Sequence, residues 1–445
     1  MKLLLPIVLA LGGIAAPAAR GLTLEEALAG AMENSPRIQQ AQSAVEQASG
    51  QRLVFRSVAF SRVGIATVAG VQGGDRAGQA STQPFAFAQG VLRQPLFQAA
   101  IPASLRRGEL EVLLATQQLN VAVVEQLHQV RLAFYGALYA SSLEQLGRSQ
   151  RRRLDENIAS EQARYEAGST DRKALGTATL LARELDPQIE DAHRAYGGAR
   201  LQLATTMGSD LAPGAALPDP QGALAFAPVN FDPEKDIAAA LERRPDLQLA
   251  RLLVRSAREE QSIAAAGYYP RLDLTLFGRY IPVTDFRQAS SGSPQRSDDI
   301  VSSEVAAGAG YTWRVIDNGR VRGAVLHQQA VREINQLQLQ KLEANVAREL
   351  RGLTNRLRAI QARHASLEKA VEVAERNVAV VENSWQQGLA SQLDFRTAET
   401  GLLATRRGLL DAAYQQQVAL ADWDRATGRY FQFSDPPTNV HSSKP

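Results

Sequence analysis

Between Arg320 and Gln387 the chain contains no proline, and glycine only at 323 and 352. Along this stretch Leu342, Val346, Leu350, Leu353, Leu357, Ile360, His364, Leu367, Val371, Ala374, Val378, Val381 and Trp385 recur at steps of four and three. A 3.5-residue period holds one apolar seam only on a helix that supercoils left-handed around partners. At about 1.5 Å per residue, a helix of roughly 68 residues reaches on the order of 100 Å. A compact domain has no use for such a rod, whereas a structure bridging a wide aqueous compartment does. The first half keeps the spacing through Val123, Leu127, Val130, Phe134 and Ala137. His364, inside the seam, reads as a packed histidine rather than a metal ligand or proton sensor.

The chain is a duplication. Glu33-Asn34-Ser35-Pro36-Arg37-Ile38-Gln39-Gln40-Ala41 matches Glu242-Arg243-Arg244-Pro245-Asp246-Leu247-Gln248-Leu249-Ala250 at an offset of 209, which still holds for Phe60-Ser61-Arg62 against Tyr269-Pro270-Arg271. Further on, Arg164-Tyr165-Glu166-Ala167-Gly168 matches Ser384-Trp385-Gln386-Gln387-Gly388 at an offset of 220. The second half has therefore gained eleven residues, the difference between those offsets, and the polar stretch Thr284 to Asp299, longer than its counterpart Gln72 to Gln83, is the natural host. Each half reads as a helix of about 25 residues (Thr23 to Gly50; Pro233 to Gly267), with Thr23 and Asp232 as N-terminal caps. A strand pair, a very long helix, a glycine-marked turn and a return helix follow.

The expected organisation is a first repeat over 19–210, a linker over 211–233, a second repeat over 234–430 and a polar tail over 431–445. In the first repeat the strand hairpin falls at 60–97, the long helix at 102–167 and the return helix at 169–208; in the second they fall at 270–316, 318–387 and 391–428.

The strand segments alternate. Leu272, Leu274, Leu276 and Tyr280 interleave with Arg271, Asp273, Thr275 and Arg279. In the partner strand Val301, Val305, Ala307, Ala309, Tyr311 and Trp313 interleave with Glu304, Gly308, Gly310, Thr312 and Arg314. The first half shows a weaker version, in Val63, Ile65 and Val71 and then in Phe85, Phe87 and Val91. Alternation over about ten residues suits a transmembrane barrel, apolar outward and polar inward, and equally a soluble hairpin half-buried on a core. Four strands are too few for a membrane barrel, which needs about eight to close and tolerates no open edge in lipid. If these strands enter a membrane, several chains share one barrel.

Composition narrows the setting. Charged residues make up 21% and aromatics 6%, the balance of long helices rather than of a compact mixed domain. Cysteine is absent, so stability rests on packing and assembly, and there is no cysteine to carry an N-terminal lipid. Lys2, the apolar run Leu3 to Ile14 and Ala16-Pro17-Ala18 form a secretory signal peptide over 1–18, cleaved after Ala18. No later segment approaches the roughly 18 to 20 apolar residues of a membrane helix. The mature chain is thus expected in the periplasm, outside the cell, or in an outer membrane by way of strands.

Net charge is only +3. Arg106-Arg107, Arg151-Arg152-Arg153 and Arg406-Arg407 sit in helical sequence as solvated faces, without the one-sided field that nucleic acid requires. A phosphate loop, a Gly-x-Ser-x-Gly turn, a cysteine nucleophile and a paired metal-ligand motif are all missing, and the five histidines are scattered. The sequence reading is therefore of a non-enzymatic protein with no cofactor and no metal.

This order of motifs, twice over, resembles the TolC-like outer-membrane efflux proteins across nearly all of the mature chain. The resemblance rests on Asn34-Ser35-Pro36 with Arg244-Pro245-Asp246 and on the strand-to-helix junctions Gln94-Pro95-Leu96-Phe97 and Trp313-Arg314-Val315-Ile316-Asp317-Asn318-Gly319-Arg320. It rests also on the turns Tyr165-Glu166-Ala167-Gly168 and Trp385-Gln386-Gln387-Gly388-Leu389-Ala390-Ser391-Gln392-Leu393-Asp394. It implies a mainly α fold with a small membrane β-sheet: long antiparallel coiled-coil helices plus four β-strands per protomer, assembled as a trimeric α/β-barrel tube. It further implies a channel in the outer membrane of a Gram-negative bacterium, reaching through the periplasm. The implied partners are two sister chains, outer-membrane lipid, a periplasmic adaptor protein and an inner-membrane pump of RND or ABC type.

By the same resemblance, Gly168, Ser169, Thr170, Gly388, Leu389 and Ala390 lie at periplasmic tips where the adaptor docks. Asp394 falls on a position that rings the closed aperture, although Thr397 and Ala174 stand where relatives often carry further carboxylates. Three such carboxylates would attract cations and resist full ionisation. Ser391 and Asp394 also have the spacing of an ordinary capping box, and Asp171, Arg172 and Lys173 read equally as tip contacts or solvated charges. Pro187 departs from the second half and should kink or interrupt the first return helix. A periplasmic adaptor is the competing reading, since adaptors also carry helical hairpins; two hairpins and few strands weigh against it.

Overall fold

The structure, a computed structural model, describes residues 21–76, 79–209, 216–280 and 303–429. The signal segment with Ala18, the inserted stretch Thr284 to Asp299, the tail 431–445 and the first residues of the linker lie outside the described residues. In chain order the elements are α1 (Leu24–Asn34), α2 (Pro36–Ser57), β1 (Arg62–Arg76), β2 (Gln79–Gln98), α3 (Ile101–Glu166), α4 (Arg172–Arg183), α5 (Asp186–Met207), α6 (Pro233–Arg243), α7 (Pro245–Ala265), β3 (Arg271–Tyr280), β4 (Ser303–Thr312), α8 (Arg320–Gln386) and α9 (Gln392–Thr427). None of the described helices is long and apolar enough to cross a membrane.

Each half opens with two helices where the sequence suggests one. Pro36 and Pro245 are the first residues of α2 and α7, where a missing N–H costs nothing. The proline ring pushes the preceding residue out of the α region. Ser35 accordingly sits at φ −66°, ψ 120° and Arg244 at φ −61°, ψ 123°. The same break recurs at repeat-equivalent positions. Thr23 caps α1 in a full capping box with Glu26, and Asp232 accepts from the Lys235 amide at the start of α6.

The described residues form two compact units, and each draws on both repeats. One comprises the chain up to Gln39, Val123–Ile237 and the chain from Arg348 onward. Its main core packs Ala27 and Ala31 of α1, Val130, Phe134, Ala137 and Leu138 of α3, and Leu203 and Met207 of α5. Alanines at the contacts let the backbones approach, and the large side chains fill between them. A second cluster joins Leu154, Ala182 and Leu185, and a third joins Val378, Ala398 and Leu402.

The return path in this unit differs between the repeats. In the second it is one helix, α9. In the first it breaks between α4 and α5, and Pro187 occupies the second position of α5. Proline has no N–H for the Arg183 carbonyl, so the helix cannot run through. The linker is strapped down here. Gln416, fully buried, accepts from the Ala227 amide at 3.1 Å and donates to the Ala227 carbonyl at 2.6 Å. Phe226 stacks on His364 with centroids 3.6 Å apart, so this histidine packs against an aromatic ring.

The other unit comprises Gln40–Ala122 and Ala238–Ala347. Here Arg106 and Arg107 are not merely solvated, since they pair with Glu259 and Glu260 of α7 at 2.9 and 2.8 Å. The four strands form one antiparallel sheet in the order β1-β2-β3-β4. The expected loop Gln72 to Gln83 is mostly strand, with β1 and β2 paired from Arg62↔Arg93 out to Arg76↔Gln79. A bulge between Pro95 and Phe97 marks the end of β2, where proline cannot donate to the ladder.

Candidate functional site

Register sorts the sheet into two chemically distinct faces. Leu272, Leu274 and Leu276 pair with Tyr311, Ala309 and Ala307. Across the β2 ladder they continue into Leu92, Gly90 and Ala88 by way of Leu276↔Leu92, Gly278↔Gly90 and Tyr280↔Ala88, and from there into Val63, Ile65 and Thr67 of β1. Strand residues two apart share a face, so this one is apolar over all four strands. No core lies under it: Ile65 and Val305 are 80% and 78% exposed. A soluble sheet buries such a face, and exposed apolar surface of this extent marks a lipid or protein contact.

The opposite face carries Arg62, Gln89, Arg93, Arg271, Asp273, Thr275, Arg279 and Glu304. Phe87 and Val91 belong here too, opposite Val68 and Gly64, and not with Val63 and Ile65 as their spacing in the sequence suggests. The Arg279 guanidinium lies 5.2 Å from the Phe87 ring and 5.4 Å from the Phe277 ring, so these aromatics shelter a cation on the polar face. Strands β1 and β4 are the sheet edges, with no partner strand among the described residues.

Trp313, exposed just beyond β4, donates its indole N–H to the Tyr268 carbonyl at 3.2 Å. With Tyr269 and Tyr311, also exposed, it collects aromatic side chains where the sheet meets the helices. The junction is built by Asp317, whose carboxylate accepts from the Gly319 and Val321 amides at 3.0 and 2.8 Å. Asn318 and Gly319 turn the chain at φ 53° and 84°. Those amide bonds hold the Asp317 carboxyl below the usual carboxylate range.

At the far ends of α3 and α8 the two turns are built alike. Gly168 and Gly388 sit at φ 72° and 77°, a left-handed conformation that ends a helix cheaply only with glycine. Their amides donate to Tyr165 and Trp385 at 3.0 and 2.9 Å, and the next amides, of Ser169 and Leu389, reach back to Arg164 and Ser384 at 2.9 and 2.8 Å. Thr170 donates to Glu161, while Leu389 and Leu393 point into solvent beside the second turn. Trp385 joins the two tips, stacked on Phe395 at 5.4 Å with the Arg164 guanidinium 5.2 Å from its ring.

Asp394 closes a capping box. Its Oδ2 accepts from the Ser391 amide at 2.9 Å and from the Ser391 hydroxyl at 2.7 Å, and its own amide donates to Ser391 Oγ at 3.2 Å. The hydroxyl and amide bonds lower its pKa, and the residue is exposed. In the first repeat Asp171 caps α4 by accepting from Ala174 at 2.8 Å. Arg172 and Lys173 follow it in the first turn of α4, both exposed.

One buried polar group escaped the sequence reading. Glu399 of α9, 2% exposed, accepts from Gln150 and from Arg153 of α3, the latter at 2.6 Å. Glu161, equally buried, accepts from Arg164 at 3.1 Å. Gln150, Arg153, Asn157, Glu161 and Arg164 follow steps of three and four along α3, so they form a polar stripe on one side of its last turns. The signal was present in the phase of those residues. Among the described residues no group of three or more His, Asp or Glu is placed to hold a metal.

The family model described as "Outer membrane efflux protein" matches residues 237–429. Among curated proteins, the chain is similar to the alkaline protease secretion protein AprF of Pseudomonas aeruginosa, 24% identical over 340 residues that cover 74% of this chain and 67% of that protein. Among solved structures it is similar to the outer membrane protein VceC of Vibrio cholerae, with TM-score 0.76 and 18% identity over 91% of this chain and 96% of that one. It is similar also to the CmeC outer membrane channel of Campylobacter jejuni, with TM-score 0.77 and 14% identity over 91% of this chain and 85% of that one.

Proposed function

We propose that this TolC-like outer-membrane efflux protein is one protomer of a trimeric outer-membrane channel, the exit duct of a tripartite efflux pump or a type I secretion system. One observation carries the reading: a four-stranded sheet whose edge strands have no partner among the described residues and whose apolar face has no core packed against it. Open edges are not tolerated in lipid, so β1 of one protomer must pair with β4 of the next. Three copies give twelve strands, enough to close a barrel with the apolar face outward and the polar face lining the lumen. The two repeats, taken as 19–210 and 234–430, then contribute one hairpin of strands and one hairpin of helices each. Conduction is passive, and the channel consumes nothing. Neither the fold nor the matches favour the adaptor alternative.

The tips around Gly168, Ser169, Thr170, Gly388, Leu389 and Ala390 are the proposed docking points for a periplasmic adaptor, with Leu389 and Leu393 supplying exposed apolar contact. An inner-membrane pump, of RND or ABC type, drives transport through that adaptor. Asp394 is the proposed aperture carboxylate. Its bonds to Ser391 engage only Oδ2, and they favour the ionised form that a cation-attracting ring needs.

Cysteine pairs scanned along β1 and β4, for example Ile65→Cys with Val305→Cys, test the assembly. Oxidised detergent-solubilised protein should run as covalent trimers for one register, and monomers in every register would refute the barrel. For the aperture, single-channel conductance of Asp394→Ala should rise and block by a polyvalent cation should weaken. An unchanged channel removes Asp394 from the aperture.

A further inference from the structure

The polar face of the sheet is not evenly charged. Among the described strand side chains it carries Arg62, Arg93, Arg271 and Arg279 against Asp273 and Glu304. The excess gathers at the end nearest the helices. Arg62 and Arg93 stand directly opposite each other in the β1–β2 ladder, a placement in which like charges repel across the closest spacing a sheet offers. Both are exposed, and neither has an ion-pair partner among the described residues. Arg271 has only a long contact, 3.8 Å, to Asp273. Arg62 and Arg271 are also repeat equivalents, each the first residue of its hairpin.

We propose that Arg62, Arg93 and Arg271 form a cationic collar at the helix-side mouth of the barrel lumen, a site that binds and passes anionic solutes bearing carboxylate, sulfonate or phosphate groups. The inference rests on the trimeric barrel: three copies put six repeat-equivalent arginines around the mouth, with Arg93 beside each Arg62. Guanidinium forks recognise planar oxyanions two bonds at a time. A lumen walled by low-dielectric protein focuses their field and raises the local concentration of anions. The repulsion between Arg62 and Arg93 is relieved when an anion sits between them, so the pair is loaded toward binding. Lipid phosphate is the other source of the same chemistry, but it lies on the far side of the sheet, against the apolar face.

The test uses the full-length protein in planar bilayers of neutral phosphatidylcholine, which removes anionic lipid. Wild type, Arg62→Gln/Arg93→Gln and Arg62→Lys/Arg93→Lys are compared in a KCl gradient and with pyrophosphate as the probe anion. The glutamine variant should shift the chloride-to-potassium permeability ratio toward potassium by about threefold and raise the half-blocking pyrophosphate concentration about tenfold, while the lysine variant keeps wild-type selectivity. Comparison between variants cancels the contribution of Asp394, common to all. Equal permeability ratios and equal block in wild type and glutamine variant would overturn the collar and leave the pore standing. Absence of any conducting channel in all three would overturn the barrel and the collar together.

Discussion

Glu399 makes the heaviest demand on its partners, because its side chain is 3% exposed and its carboxylate is held by Gln150 and Arg153. Arg153→Met keeps most of the aliphatic stem and removes the charge. Breaking a buried pair in this way costs about 3–5 kcal/mol. The Arg153 side chain is 36% exposed, so water offsets part of the loss, and about 2–3 kcal/mol is the expected cost. At roughly 1.4 kcal/mol per factor of ten, local opening around the pair should become about 30- to 150-fold more frequent. Glu399→Gln instead keeps an acceptor for Gln150 and frees a half-exposed guanidinium to hydrate, at about 1 kcal/mol or less. Hydrogen exchange of the detergent-solubilised protein, read by mass spectrometry on peptides from the last turns of α3 and the first turns of α9, measures both. A peptide from α1 serves as the internal control. If Arg153→Met exchanges no faster than Glu399→Gln, the ion pair is not what holds α9 against α3.

Four further outcomes follow from the geometry. Gly388→Ala must adopt φ 77° and should destabilise the tip by about 1–2 kcal/mol, whereas Gly401→Ala, inside α9 with nothing within 4 Å of the new methyl, should stabilise by up to about 1 kcal/mol; shifts of the same sign in thermal melting would contradict this. Pro187→Ala restores a donor for the Arg183 carbonyl, and because Glu184 and Leu185 are already in the α region, exchange protection should appear across 186–188, beyond the amides of Glu184 and Leu185 that are already bonded. Gln416→Leu strips both bonds from Ala227 and should cost about 2–4 kcal/mol, seen as early proteolysis of the linker. The Asp394 pKa is depressed below its ordinary 3.8, so its capping bonds stabilise fully above that value and are lost as pH falls through the lower folded value. Exchange at the start of α9 should rise on acidification below about pH 4 in wild type and stay flat in Asp394→Asn.

Much of the helical framework was legible because its signals are local and repeated. The 3.5-residue seam that predicts a long α8 is the seam that is buried, at Val346, Leu350, Leu357, Ile360, Val378 and Trp385. Pro36 and Pro245 are helix starters that force a break one residue earlier, a local signal repeated at equivalent positions of both halves. The faces of β3 and β4 followed from alternation, and their register pairs leucine with tyrosine and alanine as alternation requires. Strand β2 did not follow. Its large residues, Phe87 and Val91, lie on the polar face, while the apolar face there is made of Ala88, Gly90 and Leu92. In that strand side-chain size points one way and the lattice of neighbours the other, and only pairing decides.

The buried charges show why a sequence conceals some of its own design. Read singly, Glu399 and Glu161 look like any acidic residue on a water-facing helix. Their phase is what matters, because Gln150, Arg153, Asn157, Glu161 and Arg164 recur at steps of three and four and so line one side of the last turns of α3. Over its earlier turns α3 is held by apolar burial, which does not depend on the precise alignment of neighbours. Over its last turns the packing of Leu154 against Ala182 and Leu185 is joined by paired charges, which lose most of their value once a partner moves. The second repeat places Val378, Ala398 and Leu402 in the comparable turns. Each hairpin is thus fastened to its own return path by apolar packing, while α3 is tied to α9 by an ion pair, and only the second kind of contact can be released by a small displacement. An opening that starts at the tips should therefore break Arg153–Glu399 before it disturbs the packing of Val378 against Leu402.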